Sequence, residues 1–204
     1  MKIENIDIKW LGHDTFRIVS SDGKVIYTDP FKIKTMDKAD IILITHAHYD
    51  HCSAEDVGKI SSENTTIIAP KDCALTGNVK VIKPYDKLNI SGIKIETVPA
   101  YNTNKRFHPK ESGWVGYVFE VDGKRIYLAG DTDYIPEMDD LKNIDIALVP
   151  VSGTYVMTAE EAAQAVNSFK PKVAIPMHYG SIISSRSDAE KFKKLAQVKV
   201  EILG

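Results

Sequence analysis

The chain has 204 residues, with 26 Lys+Arg against 28 Asp+Glu, a formal charge of −2, and 43% hydrophobic and 26% charged residues. These proportions fit a soluble globular protein of a single domain spanning 1–204 with a sizeable core. They exclude disorder, and the near-neutral balance gives no broad electrostatic footprint for nucleic acid. No apolar run approaches the roughly 20 residues that span a bilayer, residues 1–5 lack the apolar centre of a signal peptide, and two cysteines (Cys52 and Cys73) make no disulfide scaffold. A cytoplasmic protein without nucleic-acid or membrane partners is expected.

Apolar alternation predicts strands over 3–11, 15–19 and 24–28, with Ser21-Asp22-Gly23 as the hairpin turn between the last two. The continuous apolar run 41–45 reads as a strand covered on both faces. Ser53-Ala54-Glu55-Asp56 resembles a capping box, so a short helix is expected to about Ile60. Further strands are predicted at 66–69, 80–82, 94–99, 115–121, 125–129, 144–150 and 173–177. Thr158-Ala159-Glu160-Glu161 caps a helix over 158–169, where Ala162, Ala165, Val166 and Phe169 recur at helical spacing. A helix over 188–196 and a strand over 198–203 complete the series.

Part of this pattern occurs twice. Asp22-Gly23-Lys24-Val25-Ile26-Tyr27 matches Asp122-Gly123-Lys124-Arg125-Ile126-Tyr127, and Ala39-Asp40-Ile41-Ile42-Leu43-Ile44 resembles Ile144-Asp145-Ile146-Ala147-Leu148-Val149. Hairpin, buried strand, polar loop and capped helix follow in the same order each time. Two similar halves predict an α/β protein: a four-layer αββα sandwich, sheet against sheet, with helices outside and catalytic loops gathered along one edge.

The chemistry concentrates in Thr45-His46-Ala47-His48-Tyr49-Asp50-His51, directly after a buried strand. In an extended segment residues i and i+2 point the same way, so His46 and His48 can grip one ion. Asp50 and His51 lie where the chain turns toward the helix and can face a second. Imidazole with carboxylate suits zinc, and also iron, manganese or nickel. One segment cannot complete a two-metal site. Asp131 in Ala129-Gly130-Asp131-Thr132 is a candidate bridge, and His178 in Pro176-Met177-His178-Tyr179-Gly180 a candidate ligand, each at a strand end. His108, in a polar loop, is a candidate third imidazole for the first ion.

These motifs, with Trp10-Leu11-Gly12-His13-Asp14-Thr15-Phe16 and Tyr27-Thr28-Asp29-Pro30-Phe31, resemble the metallo-β-lactamase fold superfamily of metal-dependent hydrolases, in particular its compact L-ascorbate 6-phosphate lactonase-like branch. The resemblance spans essentially the whole chain. It implies a dinuclear site: His46 and His48 on the first ion, Asp50 and His51 on the second, Asp131 bridging, His178 completing the second. It further implies a hydroxide at that site attacking a small-molecule lactone, ester or phosphoester, with Asp50 as both ligand and proton acceptor. The family's third histidine usually follows a Pro-Ala-x setting closely. Here Pro99-Ala100-Tyr101 is followed by Asn102, which leaves His108 on a longer loop, or Asn102 as a weak oxygen donor, to complete the first site.

Flavodiiron relatives carry a glutamate where this chain has His48, which disfavours an oxygen-reducing site. A non-hydrolytic metal-binding protein, a diiron redox protein or a sensor, is the alternative. His13 and Asn102 are candidate substrate-side residues, and His13 could equally hydrogen-bond a carboxylate beneath the metals. Asp29 reads as a carboxylate that orients a histidine. Lys105 and Arg106 either attract an anionic substrate or form an ordinary solvated loop. Trp114, Tyr155 and Tyr179 are pocket walls or packing residues. The loop Ser152-Gly153-Thr154-Tyr155 is expected at the same rim as the histidine motif, and association into a homo-oligomer is compatible with the composition.

Overall fold

Alternate residues of the short strands face two different layers, and this sets the architecture. The computed structural model describes residues 1–34 and 37–204. The first half contributes strands β1 (Lys2–Ile3), β2 (Ile6–Gly12), β3 (Thr15–Val19), β4 (Val25–Thr28), β5 (Ile41–Leu43), β6 (Thr66–Pro70) and β7 (Val79–Ile82), with helix α1 (Ala54–Ile60) between β5 and β6. The second contributes β8 (Lys87–Ile90), β9 (Ile93–Pro99), β10 (Val115–Val121), β11 (Lys124–Leu128), β12 (Ile146–Pro150), β13 (Val173–Met177) and β14 (Lys199–Val200). Helices α2 (Ala159–Phe169) and α3 (Arg186–Leu195) flank β13 in sequence.

Among the described residues each half forms a seven-stranded sheet, ordered β1-β2-β3-β4-β5-β6-β7 and β14-β13-β12-β11-β10-β9-β8. The first four strands of each pair antiparallel and the remainder parallel. The repeat reaches single hydrogen bonds. Asp40 Oδ2 accepts from the Val25 N–H at 2.8 Å, and Asp145 Oδ2 accepts from the Arg125 N–H at 2.9 Å. The two sequence-matched turns also touch, Asp122 accepting from the Ser21 N–H at 2.7 Å.

Ile41, Leu43 and Ile68 point into the core between the sheets, whereas Ile42, Ile44, Ile67 and Ala69 pack with Val57 and Ile60 of α1 on the outer face. Tyr27 joins that outer cluster, and its counterpart Tyr127 meets Phe169 of α2 edge-on at 5.7 Å. The resulting layers are α1, sheet, sheet, α2 with α3: the four-layer αββα sandwich of two similar halves. Tyr117 joins the layers, its hydroxyl donating to the carbonyls of Ile44 at 2.6 Å and Ile68 at 3.1 Å.

Four local expectations change. The strand expected over 3–11 is interrupted at Glu4, which takes φ +53°, giving a two-residue β1 and then β2. β8 is an additional strand; its polar alternation, Lys87-Leu88-Asn89-Ile90, leaves it only half-buried at the sheet edge. α3 begins earlier because Ser185 and Asp188 form a capping box across its first turn. The last strand shortens to two residues. No helix among the described residues is long and apolar enough to cross a membrane.

Candidate metal centre

The ends of β4, β5, β11 and β13 and the loops that follow them converge on one edge. After β5 the chain delivers His46, His48, Asp50 and His51 in one sweep, closed by the Ser53 cap of α1. After β11, Gly130 takes φ +67°, and a Cβ there would stand 3.0 Å from the Thr45 side chain. Only glycine permits that approach, which carries Asp131 into the cluster. After β13, His178 itself adopts a left-handed φ of +61°, as do His13 (+50°) and Asp29 (+35°). Strained backbone of this kind gathers where side-chain placement matters more than local comfort.

Among the described residues four overlapping donor groups result, one of them Asp14 with Asp131 and His178, and two hold most of the expected ligands. His46, His48 and His108 each bring a ring nitrogen within 4.8 Å of the others. Asp50, His51, His178 and His13 form a second group of the same tightness. Asp131 lies between: its Oδ2 is 3.1 Å from His108 Nε2, 3.2 Å from His178 Nε2 and 3.9 Å from His46 Nε2, and its Oδ1 is 3.5 Å from His51 Nε2.

A layer of polar groups behind the cluster aims these donors. The Asp29 carboxylate accepts from the Thr45 N–H at 2.8 Å, the Thr45 hydroxyl at 2.6 Å and His51 Nδ1 at 2.9 Å. With its proton committed to Asp29, Thr45 Oγ1 accepts from His46 Nδ1 at 3.0 Å. One buried carboxylate thus orients two imidazoles and leaves both Nε2 atoms facing the centre. Asp29 also falls in a donor group with His46 and His51. Its oxygens are already taken by hydrogen bonds, so it matches the orienting role expected for it. Ser152 Oγ meets His178 Nδ1 at 2.9 Å.

Asn102 stands behind the cluster, turned to His108 and away from the substrate side expected for it, whereas His13 belongs to the second donor group and takes the other role open to it, meeting a carboxylate. Asn102 Oδ1 accepts from the His108 N–H at 3.0 Å and from His108 Nδ1 at 3.1 Å, while its amide donates to Asp133 at 3.1 Å and the Tyr155 carbonyl at 2.9 Å. No Asn102 donor or acceptor is left for an ion, and His108 is the residue that reaches the first group. His13 is buried and places Nε2 3.1 Å from Asp50 Oδ2. Tyr179 is a packing residue: its ring tilts on Trp10 at 4.8 Å and its hydroxyl donates to the Leu203 carbonyl at 3.3 Å. Trp114 packs against His46 and His48, with ring centroids at 5.0 and 4.8 Å, and donates Nε1 to Asp72 at 2.8 Å. Lys105 is turned away to Asp133, 2.5 Å distant. Cys52 and Cys73 are free thiols; Cys52 Sγ contacts the Cys73 carbonyl at 3.3 Å.

Asp14 escaped the sequence reading. It is fully buried and both its oxygens lack a hydrogen-bond partner. Burial pushes its carboxyl up to about 6 against the pull of His178 and His51. The only available signal was its position directly after His13 at a strand end.

The electrostatics differ between the two groups. Burial and the neighbouring His51 charge hold His46 well below the usual imidazole value, and burial with His108 lowers His48. Burial also opposes charge on His51 and His178, but Asp131 and its fellow carboxylates outweigh it, raising His51 well above the usual value and His178 to about 9. Burial would raise Asp131; the His178 and His51 charges hold it well below the carboxylate range.

These residues fit divalent cations. With its ring proton committed to Thr45, His46 presents Nε2 as a lone pair toward the cluster, 3.0 Å from His48 Nδ1. His51 Nε2, His108 Nε2 and Asp131 Oδ1 are buried without a hydrogen-bond partner. Each such orphan costs about 1–3 kcal/mol unless something satisfies it, and cations held between these atoms would do so. Above the cluster lies a cleft of about 230 Å³, walled by His48, Tyr49, Asp50, Phe107, Tyr155 and Ile182 among others.

Comparison with known proteins agrees with this arrangement. Residues 7–178 match the family model described as the beta-lactamase superfamily domain. A UPF0173 metal-dependent hydrolase of Thermococcus onnurineus is 36% identical, over 97% of this chain and 95% of that protein. A crystal structure described as a metal-dependent hydrolase from Parabacteroides distasonis is 38% identical with a TM-score of 0.88, covering 97% of this chain and 92% of the other. A protein described as a Zn-dependent hydrolase of the metallo-beta-lactamase superfamily from Thermotoga maritima is 26% identical with a TM-score of 0.68, covering 97% and 98%. Fold, donor geometry and relatives together assign this chain to the beta-lactamase superfamily, among its UPF0173 metal-dependent hydrolases.

Proposed function

We propose that this hydrolase is a single catalytic unit, 1–204, that holds two divalent cations and cleaves a small-molecule lactone, ester or phosphoester in the cytoplasm. His46, His48 and His108 would hold the first ion; Asp50, His51 and His178 the second, with Asp131 bridging. Zinc heads the choice, with manganese, nickel or iron as alternatives, because imidazole and carboxylate donors suit all four. The observation that carries this reading is the pair of largely buried donor groups on either side of Asp131, each with one half-buried member toward the cleft, and the unpartnered atoms converging between them.

When bound, the cations would supply Lewis acidity, lowering the pKa of water toward about 7 and stabilising negative charge on the attacked carbonyl or phosphoryl group. The protein's own contribution is positional. Asp50 lines the cleft, where the hydrogen bond from His13 opposes the upward push of burial on its carboxyl. It therefore stands ionised on the open side, where a proton leaving the attacking water can be taken up. Asp29 and Asn102, acceptors at Nδ1, hold His51 and His108 in one tautomer with Nε2 facing the centre, and Ser152 steadies the His178 ring.

Metal analysis followed by a screen of simple lactones, esters and phosphoesters tests this reading. Two ions per chain and turnover in one class are expected, with His48→Ala and Asp50→Ala lowering kcat/KM by at least about 10³-fold. A fully loaded protein inert toward all three classes would overturn it.

A further inference from the structure

Resting on that hydrolytic reading, we infer that the cleft selects uncharged substrates: a small lactone or ester head group at the metal centre, carrying an apolar alkyl or aryl tail held between Tyr49, Phe107, Tyr155 and Ile182.

The rim is where the fold leaves its large apolar side chains in water. Tyr49 is 68% exposed, Phe107 48% and Ile182 39%, and all three wall the same cleft. A single exposed apolar residue needs no explanation. Three around one concavity, with catalytic donors at its floor, form a binding surface. Two of them are braced. Phe107 packs edge to face on Tyr155 at 4.6 Å, and Tyr49 packs edge to face on Phe31 at 5.8 Å. The aromatic walls are thus partly pre-organised, which limits the ordering cost of seating an apolar tail.

Charge points the same way. Among the described residues, no lysine or arginine lines the cleft, whereas the carboxylates of Asp50 and Asp131 do. The nearby cations are engaged elsewhere: Lys105 pairs with Asp133 at 2.5 Å and lies 4.0 Å from Glu161, and Lys32 rests over the Phe31 ring at 4.9 Å. Arg106 is exposed and outside the walls. Bound cations would attract an anion at the floor, but the rim that holds the tail offers no guanidinium fork or ammonium group for a charged one. The volume of about 230 Å³ lies below the roughly 300–1,000 Å³ of pockets that enclose drug-sized ligands, so the enclosed head group is small and the tail lies across the rim.

Binding of unreactive lactams separates this inference from the hydrolytic reading. Two δ-valerolactams, one bearing an octyl chain and one a phosphorylated ethyl chain, are titrated calorimetrically into zinc-loaded protein. The octyl lactam is expected to bind at least about tenfold more tightly, and Phe107→Ala and Tyr49→Ala each to cut that advantage about tenfold. Phe107→Leu should retain most of it. Ile182→Asp, at an exposed position of the loop after β13, gives the same loss by a second route, and zinc content in each sample reports whether the centre is intact. Equal or tighter binding of the phosphorylated lactam overturns the inference, as does an undiminished octyl preference in the variants. If the octyl lactam binds as expected but no lactone, ester or phosphoester is cleaved, the hydrolytic reading fails and the selectivity stands.

Discussion

At the scale of single residues, the centre depends on which ring nitrogen of each histidine carries the proton, and the neighbours decide it. Asn102 is the clearest case. Its amide group is oriented by donating to Asp133 and to the Tyr155 carbonyl, so its oxygen must face His108 and accept Nδ1–H. His108 Nε2 is then an available lone pair aimed into the cluster. Replacing Asn102 with alanine releases the ring, and first-ion affinity should fall about 10–100-fold, read by competition with a chromophoric chelator; Asn102→Asp should retain most of it. Unchanged affinity in the alanine variant would show that packing alone orients the ring.

At the scale of elements, the caps that start the helices also tie them to the site loops. Ser53 accepts from the Asp56 N–H, and the Asp56 carboxylate accepts from the Lys32 N–H at 2.8 Å, the Ser53 hydroxyl at 2.9 Å and Lys59 Nζ at 2.7 Å. It thereby fastens the segment after β4 to the first turn of α1. Burial alone would raise this carboxyl; the hydrogen bonds outweigh it and hold Asp56 below its ordinary 3.8. A carboxyl depressed on folding stabilises the protein above its unfolded value, and that contribution is lost as pH falls through the folded one. Asp56→Asn should therefore lower Tm at pH 7 by about 2–6 °C, for about 1–2 kcal/mol, and the gap should narrow as the pH of a thermal melt series falls below the ordinary carboxylate value.

At the scale of the whole molecule, the proposed metal pair joins the halves. His46, His48, Asp50 and His51 come from the first sheet's loops, and His108, Asp131 and His178 from the second's. Protein contacts already span this junction, through Tyr117 to Ile44 and through the Val115 N–H to the Thr45 carbonyl at 3.1 Å. Ions held across it bind the folded state and not the separated halves. Removing them with a chelator should lower Tm by about 5–10 °C, corresponding to about 3 kcal/mol at a hundredfold excess over Kd, and re-addition should restore it. An unchanged Tm would place the ions outside the junction.

The sequence by itself determined what depends on near neighbours. The duplicated Asp-Gly-Lys hairpins, the apolar runs of β5 and β12 and the caps at Ser53 and Thr158 are local rules of period, turn and hydrogen bonding, and they sufficed for the layered two-half architecture. The grouping of His46, His48, Asp50 and His51 was legible for the same reason. Weak or interrupted local signals failed: β8 is polar and half-buried, and β1 parts from β2 at a single left-handed residue. Only the tertiary structure decided which distant side chains meet. That His108 and not Asn102 reaches the first donor group follows from a loop closed on itself, Asn102 and His108 exchanging backbone and side-chain hydrogen bonds. That Lys105 answers Asp133, leaving an apolar rim, follows from the packing of separate loops. The burial of Asp14 without a hydrogen-bond partner is likewise set by strands far apart in the chain, because desolvation and partner choice are properties of the assembled interior.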